Sequence, residues 1–137
     1  MSTILSIFNN HLIEFVEDIE SVFPHDVDIR TAKNALLAVK KTNPKLLPQI
    51  WYRNFARPYK EQIAKGDCDF FLNKDYSSDC ARHGHGQKIM EAIDRLRDPV
   101  MNMNAENKEK TMRYVQNLSK LCYEFSEQLL NQPSENI

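Results

Sequence analysis

Apolar residues recur at Leu5, Phe8, Leu12, Phe15, Ile19 and Val22, spaced alternately by three and four. That is the repeat of one helix face, and it predicts a first helix of about twenty residues. Ser2 or Thr3 can cap its start with a side-chain oxygen, and Pro24 bounds its end, because the residue before a proline resists helical angles. A second helix is predicted from Asp28 to Lys41. It has Asp26 or Asp28 as capping carboxylate, Lys40 and Lys41 at its negative end, and Ile29, Ala32, Leu36 and Val39 inward. Thr42, Asn43 and Pro44 read as a stop and restart, with Asn43 capping and Pro44 in the first turn, unless Pro48 moves the start to Leu47. Helix then resumes through Ile50, Trp51 and Phe55, breaks near Arg57 and Pro58, and returns from Tyr59 to Lys65 before Gly66.

Residues 67–86 read as an irregular loop anchored by Phe70, Phe71 and Leu72. From Gln87 a helix turns Ile89, Ile93 and Leu96 inward. The same phase runs through Val100 and Met103, with a kink or short break expected at Asp98 and Pro99. Asn104 caps a last helix of roughly 26 residues, about 39 Å at the helical rise. Its stripe is Val115, Leu118, Cys122, Phe125 and Leu129, and Glu106 with Lys110 and Glu109 with Arg113 are i,i+4 pairs. Residues 131–137 read as a frayed tail. No segment alternates with period two, and no Asn-Gly or Asp-Gly turn occurs. The fold class is therefore all-α: a single-domain irregular helical bundle over residues 1–137, with long first and last helices and shorter ones between.

The chain has 137 residues, 42% hydrophobic and 27% charged, with a net charge of −1. Such a length supports one core, and the balance excludes a disordered polar tail. No run approaches the roughly twenty apolar residues that span a bilayer, so no membrane insertion is expected. Three cysteines are an odd number, too few for a disulfide scaffold, and no secretion signal is recognisable. Both features point to a reducing cell interior.

Charge is segregated along the chain. Residues 1–29 carry six acids and no Lys or Arg, whereas residues 30–65 carry nine bases and one acid. The basic stretch interleaves Lys40, Lys41, Lys45, Arg53, Arg57, Lys60 and Lys65 with Trp51, Tyr52, Phe55 and Tyr59. Nucleic-acid binding fits this pattern, with Tyr52 or Tyr59 as a stacking group. Trp51 and Phe55 are one turn apart and suit a core face, however, and the acidic first helix can neutralise the basic stretch, so protein docking is the preferred reading. Lys40, Lys41, Lys45, Arg53 and Arg57 are the candidates for an acidic partner, and Glu14, Glu17 and Asp18 for a basic one.

Cys68, Cys80, His83 and His85 are metal-binding residue types, with Asp67, Asp69 and Asp79 nearby. Cys68 stands alone, and His83 and His85 are separated only by Gly84, unlike the paired ligands of structural zinc sites. The segment reads as a polar loop, and no metal or other cofactor is expected. There is no nucleophile elbow, His-Glu-x-x-His, phosphate loop, dinucleotide fingerprint or Glu-x-x-His, so neither catalytic residues nor an enzyme is expected. His11 reads as a boundary residue, His25 as a turn residue and Cys122 as a small core hydrophobe. The sequon at Asn117 falls inside the last helix and is expected to carry no glycan.

Four stretches carry a resemblance: FNNHLIEFVEDIESVFP from Phe8 to Pro24, the following DVDIRTAKNALLAVKKTNPKLL, FFLNKDYS at 70–77, and IMEAIDRLRDPVMNMNAENKEKTMRYVQNLSKLCYEF at 89–125. Together they resemble small helical proteins encoded by nucleocytoplasmic large DNA viruses, the giant viruses. The resemblance implies a non-enzymatic structural protein of the virion, made in the host cell interior. It implies a minor capsid component of the cement type whose partners are the major and other minor capsid proteins.

Overall fold

The computed structural model describes residues 3–74 and 86–130. Among them lie seven α-helices and one π-turn: α1 (Ile4–Val22), α2 (Val27–Thr42), α3 (Leu46–Trp51), the π-turn (Tyr52–Ala56), α4 (Lys60–Ala64), α5 (Cys68–Asn73), α6 (Gln87–Met101) and α7 (Ala105–Leu130). There is no strand among the described residues, and the architecture is an all-α bundle with long first and last helices. None of these helices is long and apolar enough to cross a membrane.

Side-chain caps set several of the boundaries. Thr3 Oγ1 accepts from the Ser6 N–H at 3.1 Å, Asp26 Oδ1 from Ile29 at 3.2 Å, and Asn104 Oδ1 from Asn107 at 2.8 Å. Each satisfies a backbone donor that the first helical turn leaves without a partner. The buried face of α2 is Ile29, Ala32, Leu36 and Val39, as its spacing predicts. The face of α1 is wider than its stripe, since Ile13 and Val16 are also buried, while Val22 is exposed at the helix end.

Several local expectations are corrected. Residues 67–86 are not loop throughout, because Asp67 Oδ1 accepts from Phe70 at 3.2 Å and opens the six-residue α5, which buries Leu72. Asn43 does not cap α3. Its N–H bonds the Val39 carbonyl at 2.7 Å and closes α2, and its own carbonyl accepts from Leu46 at 3.1 Å, so the next helix begins at Leu46. Pro48 is buried in the first turn of α3, where a missing N–H removes no intrahelical bond. Helix α6 continues through Pro99 to Met101 without the expected break. Pro99 sits in the last turn, and Asn102 secures the end by donating its backbone N–H to Asp98 and Pro99 and its side chain to the Asp98 carbonyl. Glu109 does pair with Arg113, at 3.2 Å, but Lys110 reaches past Glu106 to Asp18 on α1 at 3.0 Å.

One cluster of buried apolar side chains draws on every helix, with Phe8, Leu12, Leu36, Leu47, Ile50, Ile89, Met90 and Leu118 almost wholly enclosed. Helix α2 packs most extensively on α6, and α1 packs on both α7 and α2. Buried Asn9 joins two of these layers by donating from Nδ2 to the Pro44 carbonyl at 3.1 Å, which fixes the turn between α2 and α3 against α1.

Candidate interaction site

The basic, aromatic part of the sequence folds around Trp51. Its indole is buried, meets Phe8 edge-on at 6.4 Å and Phe55 at 4.9 Å, and donates from Nε1 to Ser119 Oγ at 3.0 Å. Ser119 donates in turn to the Val115 carbonyl at 2.8 Å, so α3 is pinned to α7 through a continuous hydrogen-bonded chain. Trp51 and Phe55 thus occupy the core, as their spacing predicts. Cys122 also fills this interface, its thiol donating to the Pro48 carbonyl at 3.4 Å. Burial pushes that thiol far above the ordinary cysteine range, which leaves it a neutral packing group rather than a nucleophile.

Directly after Trp51 the backbone widens. Arg57 N–H bonds the Tyr52 carbonyl at 3.0 Å, five residues back, and the wide turn buries Asn54, Phe55 and Ala56 while leaving Arg53 and Arg57 exposed. Asn54 is satisfied locally, its Nδ2 donating to the Ile50 carbonyl at 3.0 Å. On the outer side, cations and rings alternate. The Arg57 guanidinium lies 5.9 Å from the Tyr52 ring, Tyr52 meets Tyr123 of α7 edge-on at 5.6 Å, and Lys60 lies 5.5 Å from the Tyr123 ring. Tyr123 is anchored by donating its hydroxyl to the Ala56 carbonyl. Its phenol is held above the ordinary tyrosine range, mainly by burial and then by Tyr52 and Cys122, so it stays a neutral donor at neutral pH. Tyr59 belongs elsewhere, packed against Phe70 at 5.1 Å and Phe71 at 6.0 Å with Lys74 over its ring.

The candidates for an acidic partner fall into two places. Lys40, Lys41 and Lys45 lie where α2 ends and α3 begins, whereas Arg53 and Arg57 lie beyond α3, about 12 Å further along a helical rise. Lys40 donates to the neutral Asn10 Oδ1 at 2.9 Å. Among the described residues, no carboxylate lies within ion-pair distance of Lys40, Lys41, Lys45, Arg53, Arg57 or Lys60.

The acidic candidates have company. Asp18 accepts from Lys110 at 3.0 Å, and Glu14 accepts from the Tyr114 hydroxyl at 3.4 Å and lies 3.6 Å from His11 Nδ1. Further along, Glu20 accepts from Lys33 at 2.7 Å and Asp28 pairs with Arg95 at 3.0 Å. Exposed Glu17 alone of the three has no polar partner among the described residues. The acidic helix is therefore neutralised chiefly by α6 and α7, and Lys33 is the one cation of the basic stretch that it engages among the described residues. Sequence order could not show this, because Lys110 and Asp18 stand 92 positions apart. Nor could it show Tyr123, which lies beside the apolar stripe of α7 and enters the cationic surface only through packing.

Cys68 opens α5 half-buried, with its thiol raised above the ordinary range by burial first and by Asp69 second. Cys80, His83 and His85 lie outside the described residues. No group of three or more His, Cys, Asp or Glu side chains is placed to hold a metal among the described residues. No protein-family model matches this chain, and no curated protein or solved structure matches it.

Proposed function

We propose that this chain is a non-enzymatic interaction protein that docks an acidic protein surface through the cations of α3, the π-turn and α4. In keeping with the resemblance of its sequence, it acts as a minor capsid component of a large DNA virus particle. One observation carries the docking surface: the carboxylates of α1 find cations within the fold, while Lys41, Lys45, Arg53, Arg57 and Lys60 find no carboxylate among the described residues. Unneutralised surface charge of one sign steers and orients a partner of the opposite sign. Quantitative peptide mass spectrometry of purified particles, before and after salt and detergent stripping, tests the role. Retention in the stripped shell at a fixed ratio to the major capsid protein is expected, and absence from the particle overturns it. The triple substitution Lys41→Glu, Lys45→Glu and Arg53→Glu tests the surface, with loss of incorporation at an unchanged melting temperature as the expected result.

A second reading is favoured by the alternation of Arg57, Tyr52, Tyr123 and Lys60, since rings beside cations also suit single-stranded nucleic acid. Its signature is affinity that falls steeply between low and moderate salt. No binding to a single-stranded oligonucleotide at low salt removes it.

A further inference from the structure

Helix α5 lies against α6 and α7, and next to it the core is incompletely filled. A cavity of about 80 Å³ remains, with walls supplied by α1, α2, α3, the π-turn, α5, α6 and α7. Leu12, Leu36, Phe71, Leu96 and Val115 are among its lining residues, and Arg97 and Thr111 are its polar exceptions beside the thiol of Cys68. Interiors are normally packed to the density of organic crystals, so an apolar space of this size is a feature that needs an occupant or an explanation. A cavity without polar partners for water stays dry and admits apolar molecules.

Cys68 and Met112 also face outward. They line a second, open space of about 450 Å³ between the turn that follows α4 and the first half of α7, together with Lys65, Gly66, Lys108, Glu109, Arg113 and Gln116. Glu109 is paired with Arg113 at 3.2 Å, and no carboxylate lies within ion-pair distance of Lys65 or Lys108 among the described residues. The groove has a fixed floor. Gly66 takes a left-handed φ of 68°, and Gln116 donates from Nε2 to the Ile63 carbonyl at 2.9 Å across it. An apolar chamber and a cation-bearing groove therefore share one boundary, made of a small thiol and a methionine whose unbranched side chain adapts easily.

We infer that the two spaces form one binding site for a small amphipathic carboxylate, its alkyl group entering the cavity between Cys68 and Met112 and its carboxylate held in the groove by Lys65 and Lys108. The cavity is roughly half the volume of an engineered one that takes benzene, which sets the apolar part at a short alkyl chain. Charge complementarity sets the head group, since the groove presents more cations than carboxylates. The site is independent of the docking surface, which lies on the other cations of the chain.

A homologous series of straight-chain carboxylates, propanoate to octanoate, titrated into the full-length protein and followed through the Met112 methyl resonance and by calorimetry, tests the site. Affinity is expected to rise about fourfold per added methylene, the equivalent of its burial, and then to level off when the cavity is full. The matched alcohols should bind more weakly at every length. Val115→Phe, which fills the chamber, should abolish the chain-length dependence. Lys65→Gln with Lys108→Gln, both on the surface, should keep that dependence and erase the preference for carboxylate over alcohol. An affinity indifferent to chain length in the wild-type protein, or carboxylates that bind no better than alcohols, would overturn the proposal. So would an unchanged preference in the double lysine variant, which settles the head group even if Val115→Phe fails to fold.

Discussion

The seam between α1 and α7 and the ledge formed by α3, the π-turn and α4 carry comparable numbers of charged side chains but use them differently. At the seam, Asp18 meets Lys110 and Glu14 meets Tyr114, so charge is consumed in joining two helices. On the ledge, the joining is done by Trp51, Ser119, Cys122 and the Tyr123 hydroxyl, all neutral, and the cations are left facing outward. A helix pair held by ionic contacts has little charge to offer a partner, whereas one held by an indole and hydrogen bonds keeps its charge available. Total net charge conceals this difference. The division follows from which residue types sit beneath each surface.

The comparison can be broken most directly at Trp51. Trp51→Ala should cost about 3–5 kcal/mol in denaturant unfolding, because it empties a large core site and leaves α3 without its bond to Ser119. A loss within about 0.5 kcal/mol, the range of an ordinary surface change, would mean the ledge is not anchored this way. The next effect is alkaline. The Cys122 thiol is raised by burial, so the folded state favours its protonated form, and the stability it contributes is complete below the ordinary cysteine value of 9.0 and lost as pH rises beyond it. Melting temperatures from about pH 8 to about pH 10.5 should therefore fall less steeply for Cys122→Ala than for the wild-type protein. The phenols of Tyr114 and Tyr123 are raised as well and add a decline common to both proteins, beginning above the tyrosine value of 10.0.

Charge reversals separate the two regions at smaller scale. Asp18→Lys places a cation beside Lys110 and should destabilise by about 1 kcal/mol, while Lys45→Glu should fall within about 0.5 kcal/mol of the wild-type protein. Equal costs would erase the distinction between seam and ledge. The finest test compares two ion pairs by double-mutant cycles. Lys33 and Glu20, with side chains 22% and 23% exposed, should couple near the upper end of the range of about 0.2–1 kcal/mol, and Arg113 and Glu109, 67% and 70% exposed, near its lower end. High salt should weaken the second pair more than the first.

Long periodic segments were legible from residue order alone. The inward residues of α2, the cap at Asn104 and the 26-residue span of α7 all follow from spacing and from one capping side chain. Short elements were not. Helix α5 is six residues long, too brief for a repeat to declare itself, and its only local signal was Asp67 three positions before Phe70. Pro99 suggested a break because proline is costly inside a helix, but that cost falls away in the last turn, where few bonds remain to be lost. Of the candidate surface, the residue types and their cationic character were readable. Which cations would be neutralised was not, because that depends on pairs such as Lys110 and Asp18, brought together only when α1 and α7 pack.

The π-turn from Tyr52 to Ala56 also sets a rotational phase. A helix advances about 100° per residue, so one additional residue in a turn changes the direction of everything that follows it. Deleting a single residue there would restore an ordinary helical winding and swing Arg57 and Lys60 around the axis by about that angle, away from Tyr52 and Tyr123. Substitutions at the same positions alter one side chain at a time, whereas a one-residue deletion would re-aim the whole outer surface. The chain therefore tolerates changes of letter in this segment far better than changes of count.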